Sequence, residues 1–155
     1  MLLKSKAIAF KSLGLVVLFA TMSSFSGSWG GDHYRIYVNN KLVMEEFVHN
    51  QKSIKSISLD QRSQNDQVSV YYSHCGKVGQ ARQLIIKDGK NQVLKQWSYA
   101  DVKSEESPMT CKGKDILNLQ KVGGDKLNLF YSSKEIPAGK RLAVVNIGGD
   151  SETRP

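Results

Sequence analysis

From residue 33 onward, apolar residues alternate with polar ones over short runs, and this period of two constrains the fold more than any other feature. Side chains of a β-strand point alternately to opposite faces, so the pattern predicts half-buried strands. A helical spacing of apolar residues is not sustained anywhere along the chain. The runs are separated by Asn, Gly and Asp, which are typical turn residues. The sequence therefore predicts an all-β domain.

Turn residues divide the predicted strands into hairpins. Asn39 and Asn40 tolerate positive φ, so the strand that precedes them is expected to turn back on itself. The clearest hairpin lies within residues 81–99, where Asp88-Gly89 separates two apolar runs. An Asp-Gly pair in that position is among the strongest short-range indications of a hairpin.

The second half of the chain extends this pattern. Residues 116–122 and 127–132 are predicted to form another hairpin around Gly-Gly-Asp, and residues 100–114 a long crossover loop. Residues 141–147 are apolar on both sides, as expected for a central strand. About eight or nine short strands without intervening helices predict a two-sheet antiparallel sandwich of Greek-key type, with a barrel as the second choice.

The N-terminal region has the order of a secretory signal peptide. Three lysines precede an apolar run at residues 13–25, and a Ser/Gly-rich stretch follows. The run is short for a membrane span, which needs about 20 mainly apolar residues, so a permanent anchor is the weaker interpretation. We expect a signal peptide over residues 1–26, with cleavage after Ser28 as an alternative, and no stable membrane span after cleavage. The predicted location is the periplasm or the extracellular space.

The remainder of the chain is predicted to be one bacterial β-sandwich domain. A flexible mature N-terminus at residues 27–32 precedes the domain at residues 33–148, and residues 149–155 form a polar tail. The net charge of the chain is +8, but three of its lysines lie in the predicted signal peptide and are lost on cleavage. The mature domain is therefore only moderately basic, and its charge does not indicate nucleic-acid binding. Two cysteines are too few for a disulfide-dense miniprotein.

Cys75 and Cys111 are the only cysteines of the chain. Export would place both in an oxidising compartment, so the sequence predicts a disulfide between them. In the chain-entropy model this bridge would stabilise the domain by about 4 kcal/mol at most. The competing interpretation makes Cys75 a nucleophile or a metal ligand next to His74.

Catalytic and metal-binding motifs are weak in this sequence. His33, His49 and His74 lack a local ligand spacing such as His-x-His, so a metal site would require three segments to converge. His74 would be the first ligand, since it lies in a predicted loop beside polar residues. Neither a Walker motif nor a Gly-x-Ser-x-Gly elbow occurs. No catalytic residue, metal site or cofactor is predicted.

A basic and aromatic surface is the main functional indication. It would be formed on the central hairpin by five residues, Arg82, Lys87, Lys95, Trp97 and Tyr99. Lys95, Trp97 and Tyr99 alternate along one strand and would point to the same side. Such a surface suits anionic glycans, lipid headgroups or an acidic protein. Alternatively, Trp97 belongs to the core and the lysines only solubilise edge strands.

These observations predict an exported, non-catalytic domain that binds a glycan, an envelope component or a protein partner. Two rival hypotheses belong to other functional classes. The first is a metal-dependent or hydrolytic periplasmic enzyme whose site combines His74 with dispersed carboxylates. The second is an envelope-assembly or structural subunit that acts through exposed strand edges.

Overall fold

The computed structural model describes residues 31–104 and 107–148. The predicted signal peptide, residues 27–30 of the predicted flexible N-terminus and the predicted tail lie outside these residues. The protein is mostly β, with 47% strand and 14% helix, which confirms the predicted class. None of the helices in the described residues has the length and apolarity that a membrane crossing requires.

Nine strands in the described residues form two sheets. The first sheet contains β1 (His33–Val38), β2 (Lys41–Phe47), β4 (Gln67–Ser73) and β7 (Met109–Lys112). The second contains β3 (Ser56–Leu59), β5 (Gln83–Lys87), β6 (Val93–Ser98), β8 (Lys126–Ser132) and β9 (Lys140–Ile147). The strand orders are β2-β1-β4-β7 in the first sheet, sheet A, and β3-β9-β8-β5-β6 in the second, sheet B. The sheets do not close into a barrel.

Both of the strongest hairpin predictions are confirmed. Asn39 and Asn40 have φ of 49° and 64° and join β1 to β2, as their tolerance of positive φ predicts. In the hairpin of β5 and β6, the Asp88 carboxylate accepts hydrogen bonds from the backbone N–H groups of Lys90 and Gln92. The Asp side chain therefore fixes this turn through the backbone.

Other predictions need correction. Residues 116–122 are not a strand but lie in the short helices α1 (Gly113–Leu117) and α2 (Gln120–Gly123) and in the turn between them. Ile116 and Leu117 are adjacent and both buried. A helix turns by about 100° per residue, so neighbours can share its buried face, whereas neighbours in a strand point to opposite faces.

The pairing of the strands and the region before α1 also differ from the prediction. The antiparallel arrangement has one exception in the described residues, since β3 and β9 pair in parallel. The predicted crossover loop at residues 100–114 contains β7 at the edge of sheet A. The prediction for the last strand is confirmed, because β9 lies between β3 and β8.

A column of three buried tyrosines joins the sheets. Tyr34 and Tyr72 are paired in sheet A, and their rings stack with centroids 6.3 Å apart. Tyr72 stacks on Tyr131 of sheet B at 4.0 Å. The Tyr34 hydroxyl donates to the backbone carbonyl of Leu142 at 2.7 Å, so this phenol has a partner inside the core. The two sheets thus face one another across a shared core.

The predicted disulfide is wrong, because Cys75 and Cys111 are not bonded to each other. Cys111 pairs with Val68 near the start of β4, whereas Cys75 follows Ser73 at its end. The stretch from Val68 to Ser73 spans about 16 Å of extended strand. A disulfide requires Cα atoms within about 7 Å, so the sheet itself keeps the two cysteines apart.

Candidate functional site

The structure separates the residues of the predicted basic and aromatic surface. Arg82 directly precedes β5 and is only 3% exposed. It lies two residues before the buried Leu84, so the two side chains point to the same, core-facing side. Its guanidinium donates to the backbone carbonyls of Ser107 at 3.0 Å and Ala100 at 3.1 Å. Arg82 therefore anchors the segment after β6 and does not present its charge to a ligand, which corrects the prediction for this residue.

The two predicted lysines lie on opposite faces of sheet B. Lys87 places its Nζ 4.4 Å from the ring centroid of Phe130. Lys95 pairs with the core-facing Ile86, and its Nζ lies 5.8 Å from the ring centroid of Trp97. Since directly paired residues of neighbouring strands share a face, Lys87 and Lys95 do not form one surface.

Trp97 and Tyr99 lie at the edge of the core. Trp97 pairs with the buried Leu84 and packs against the core while remaining partly exposed. Burial raises the pKa of Tyr99, whose hydroxyl donates to the backbone carbonyl of Thr110 at 2.7 Å. This hydrogen bond joins the end of β6 to β7, so the edges of the two sheets lie close together here.

A groove of about 760 Å³ lies between these edges, and we call it the Trp97 groove. Trp97 is the one lining residue from β6. The other lining residues come from two segments of the chain and are Gln64, Asn65, Asp66, Gln67, Thr110, Cys111, Lys112, Lys114 and Asp115. The volume lies in the range of about 300–1,000 Å³ that is typical of sites for small ligands.

Close backbone contacts hold the polar side of this groove in place. The backbone N–H of Gly113 donates to the Asp66 carbonyl at 2.8 Å. A Cβ atom on Gly113 would lie 2.1 Å from the carbonyl oxygen of Ser63, so only glycine fits at the start of α1. The Asn39 amide donates to Asp66 Oδ1 at 2.5 Å, and its oxygen accepts from the Gln67 N–H at 2.9 Å. The groove is therefore largely preformed.

The charges that line the groove are balanced. Two lysines and two aspartates contribute, namely Lys112, Lys114, Asp66 and Asp115. Three side-chain amides add both donors and acceptors, namely those of Gln64, Asn65 and Gln67. The groove thus combines one indole with polar groups whose formal charge sums to zero.

A second polar assembly lies at the other end of β4. His74 Nδ1 lies 3.3 Å from Asp32 Oδ2, and the Tyr72 hydroxyl donates to the same oxygen at 2.9 Å. His74 Nε2 lies 2.9 Å from the Tyr131 hydroxyl and 3.3 Å from Ser133 Oγ. We call these five residues the His74 cluster. It connects both sheets with the segment that precedes β1.

Glu135 lies beside this cluster, with its Oε2 4.0 Å from His74 Nε2. Partial desolvation opposes ionisation of Glu135, but hydrogen bonds from Ser133 and from the Gln80 backbone lower its pKa overall. Burial raises the pKa of Tyr131, and burial together with the hydrogen bond to Asp32 raises that of Tyr72. The Glu135 carboxylate is thus favoured as an acceptor, and the Tyr72 and Tyr131 phenols as donors.

The three histidines do not converge. His33 contacts Glu45 at 2.9 Å, and His33 and His49 each lie beside the ring of Phe47. His74 belongs to its own cluster. Within residues 31–104 and 107–148, no group of three or more His, Cys, Asp or Glu side chains could hold a metal ion.

The contacts of Asp32, His74 and Ser133 have the order carboxylate, imidazole, hydroxyl that a hydrolytic triad uses. Ser133 is only 5% exposed, however, and Tyr131 is the closer partner of Nε2. The backbone of Gly79 covers the group, since a Cβ atom there would lie 2.3 Å from the Tyr131 hydroxyl. A substrate therefore has no access to Ser133 in this arrangement.

Trp97 is the residue of the predicted basic and aromatic surface that lines the groove, and Cys111, which was predicted as a disulfide partner, lines it as well. No protein-family model matches the chain, and no curated protein or solved structure matches it significantly. The arrangement of side chains in the Trp97 groove and the His74 cluster is thus the basis for a functional proposal.

Proposed function

We propose that the protein is an exported, non-catalytic β-sandwich of Greek-key type that binds a glycan, an envelope component or a protein partner in the Trp97 groove. The observation that carries the proposal is the position of Trp97, which is partly exposed beside preformed polar segments at a gap between two sheet edges. Aromatic side chains with one accessible face supply much of the binding energy at such sites.

The contrast with the His74 cluster supports binding over catalysis. The His74 cluster brings a hydroxyl and an imidazole into contact, but it is covered by Gly79 and tied to Tyr131. The accessible assembly, the Trp97 groove, has no histidine among its described lining residues. The N-terminal order of lysines and apolar residues supports export to the periplasm or the extracellular space.

The test is isothermal titration of the mature protein with panels of glycans, peptides and anionic lipids. We expect a ligand whose affinity falls in Trp97→Ala and is retained in Val93→Ala. Val93 is the matched control, because it is exposed on the same strand but does not line the groove. Equal affinities in the two variants, or a hydrolytic activity that His74→Ala abolishes, would overturn the proposal.

A second candidate function, assembly with other subunits, is favoured by strand β2. This strand lies at the edge of sheet A and carries three exposed apolar side chains, Leu42, Val43 and Phe47. Exposed edges with apolar side chains promote strand addition. If assembly is the function, sedimentation will show concentration-dependent oligomers that Val43→Lys dissociates. A monomer at all concentrations, without a stable partner, argues against this candidate.

A further inference from the structure

We infer that the ligand of the Trp97 groove is an uncharged saccharide chain. The inference rests on the proposed binding function and narrows it to one ligand class. Its basis is the combination of an aromatic surface, balanced charge and side-chain amides in one preformed groove. Each of these features favours a neutral saccharide over the other ligands that the proposed function includes.

The charge balance disfavours an anionic ligand. The whole chain has a net charge of +8, yet Lys112 and Lys114 are offset in the groove by Asp66 and Asp115. Phosphate, sulfate or uronate groups that approach the lysines would also approach the two carboxylates, and like charges in proximity reduce affinity. A neutral ligand avoids both this repulsion and the cost of desolvating a charge.

The hydrogen-bonding groups match hydroxyls. A hydroxyl is both a donor and an acceptor, and so is each of the amides of Gln64, Asn65 and Gln67. The Gln64 and Gln67 Nε2 groups each use one donor within the protein, to Gln61 Oε1 at 2.8 Å and to Ser69 Oγ at 3.3 Å. Asp66 and Asp115 accept hydrogen bonds that hydroxyls donate. The indole of Trp97 supplies a flat apolar surface for the C–H face of a sugar ring. A polyhydroxylated ring chain can use all three kinds of group together.

The edge of β7 is less suited to a peptide. An extended peptide would bind there by pairing with outward backbone groups. The carbonyl of Thr110 already accepts the hydroxyl of Tyr99 at 2.7 Å, and the strand has only 4 residues. Backbone pairing is therefore limited on this side of the groove, which favours recognition through side chains.

The test measures binding of the mature protein to cellohexaose, chitohexaose and maltohexaose, and to polygalacturonate as the acidic probe. Each titration is run at about 50 and about 500 mM salt, which spans strong and weak screening. We expect at least one neutral hexasaccharide to bind with an affinity that changes less than about twofold with salt. Trp97→Ala should weaken binding about tenfold or more, whereas Val93→Ala should not.

Gln64→Ala and Asn65→Ala serve as second variants, because both side chains are exposed and their loss does not open the core. We expect each to weaken binding of the same hexasaccharide about threefold to tenfold. Circular dichroism verifies that every variant is folded. Together these variants separate a loss of the groove's contacts from a loss of the fold.

The alternative outcomes are distinguishable. Trp97-dependent binding of polygalacturonate with a steep salt dependence, or of a peptide alone in the wider panel that tests the proposed function, overturns the saccharide inference and leaves the proposed function standing. Binding of a neutral saccharide that Trp97→Ala does not weaken, in a variant that is folded, overturns both. Failure of every saccharide probe to bind overturns the saccharide inference alone, because the proposed function is tested separately with peptides and anionic lipids.

Discussion

The Trp97 groove and the His74 cluster lie at opposite ends of β4, and both bring polar side chains to a junction of the two sheets. They differ in how their polar groups are used. In the cluster, His74 has partners at both ring nitrogens, and Gly79 lies against it. In the groove, amide and charged side chains surround an open volume. Reactive residue types thus stabilise the fold at one end, while amide and charged side chains line an open groove at the other.

The largest expected effect is a loss of stability at alkaline pH, where the buried tyrosines ionise. Burial raises the pKa of Tyr34 to about 12, and the stacked Tyr72 and Tyr131 also have raised pKa values. The unfolded chain releases these protons near pH 10, so stability is present below about pH 10 and is lost as the pH rises toward 12. Tyrosinate absorbance and circular dichroism should change together. Ionisation of all tyrosines near pH 10 with the fold intact would contradict this expectation.

The next largest effect is expected for Tyr131→Ala. This change removes a fully buried ring that stacks on Tyr72, so we expect a loss of about 3–5 kcal/mol in the free energy of unfolding, measured with urea. Tyr131→Phe, which removes only the partner of His74, should lose about 1 kcal/mol. Phe130→Ala, on the opposite face of β8, is the control and should cost less than Tyr131→Ala. Equal losses for the two alanine variants would show that the tyrosine column is not the main link between the sheets.

Gly113→Ala tests whether the close contact between α1 and Ser63 holds the groove in place. The new Cβ atom would lie 2.1 Å from a backbone oxygen of Ser63, so α1 must move, at a cost of about 1–3 kcal/mol. Ligand binding in the groove should weaken as well, because Lys114 and Asp115 move with α1. Gly89→Ala is the control, since nothing lies within 4 Å of its Cβ position. If both variants are as stable as the natural chain, α1 is not held as tightly as the geometry indicates.

The smallest effect is expected for a reductant. Cys75 lies beside the His74 cluster, with its Sγ 3.7 Å from Asp32 Oδ1, and Cys111 lines the Trp97 groove. A disulfide would join the two regions, but the cysteines are not bonded. Adding reductant should therefore change the unfolding free energy by less than about 0.5 kcal/mol. A loss of several kcal/mol, with an oxidised mass lower by two hydrogen atoms, would restore the disulfide prediction.

Much of the β framework follows from local sequence. Alternating apolar residues and the paired asparagines specify β1 and β2, because side-chain alternation and turn chemistry act over only a few residues. The helices at residues 113–123 were missed, since short apolar runs do not distinguish a buried helix from a strand. The parallel pairing of β3 with β9 has no local signal, because it joins distant segments.

The site was predicted only in part, for the same physical reason. Trp97 was a candidate because an aromatic residue in a basic hairpin is visible in the sequence, and the structure places it both against the core and in the lining of the groove. Arg82 was misplaced because its burial depends on the carbonyls of Ala100 and Ser107, which approach only in the folded chain. The polar side of the groove depends on Gly113 approaching Ser63, and this too is a long-range contact.

The position of β9 also governs the order of events during synthesis. β9 is the last strand of the described chain, yet it lies inside sheet B between β3 and β8. While the chain emerges from its N-terminal end, β3 has no partner in its sheet until residues 144–147 arrive. Long-range parallel pairing is slow, and unpaired strands expose apolar surface meanwhile. A truncation just before β9 should therefore leave an aggregation-prone chain, even though eight of the nine strands are present.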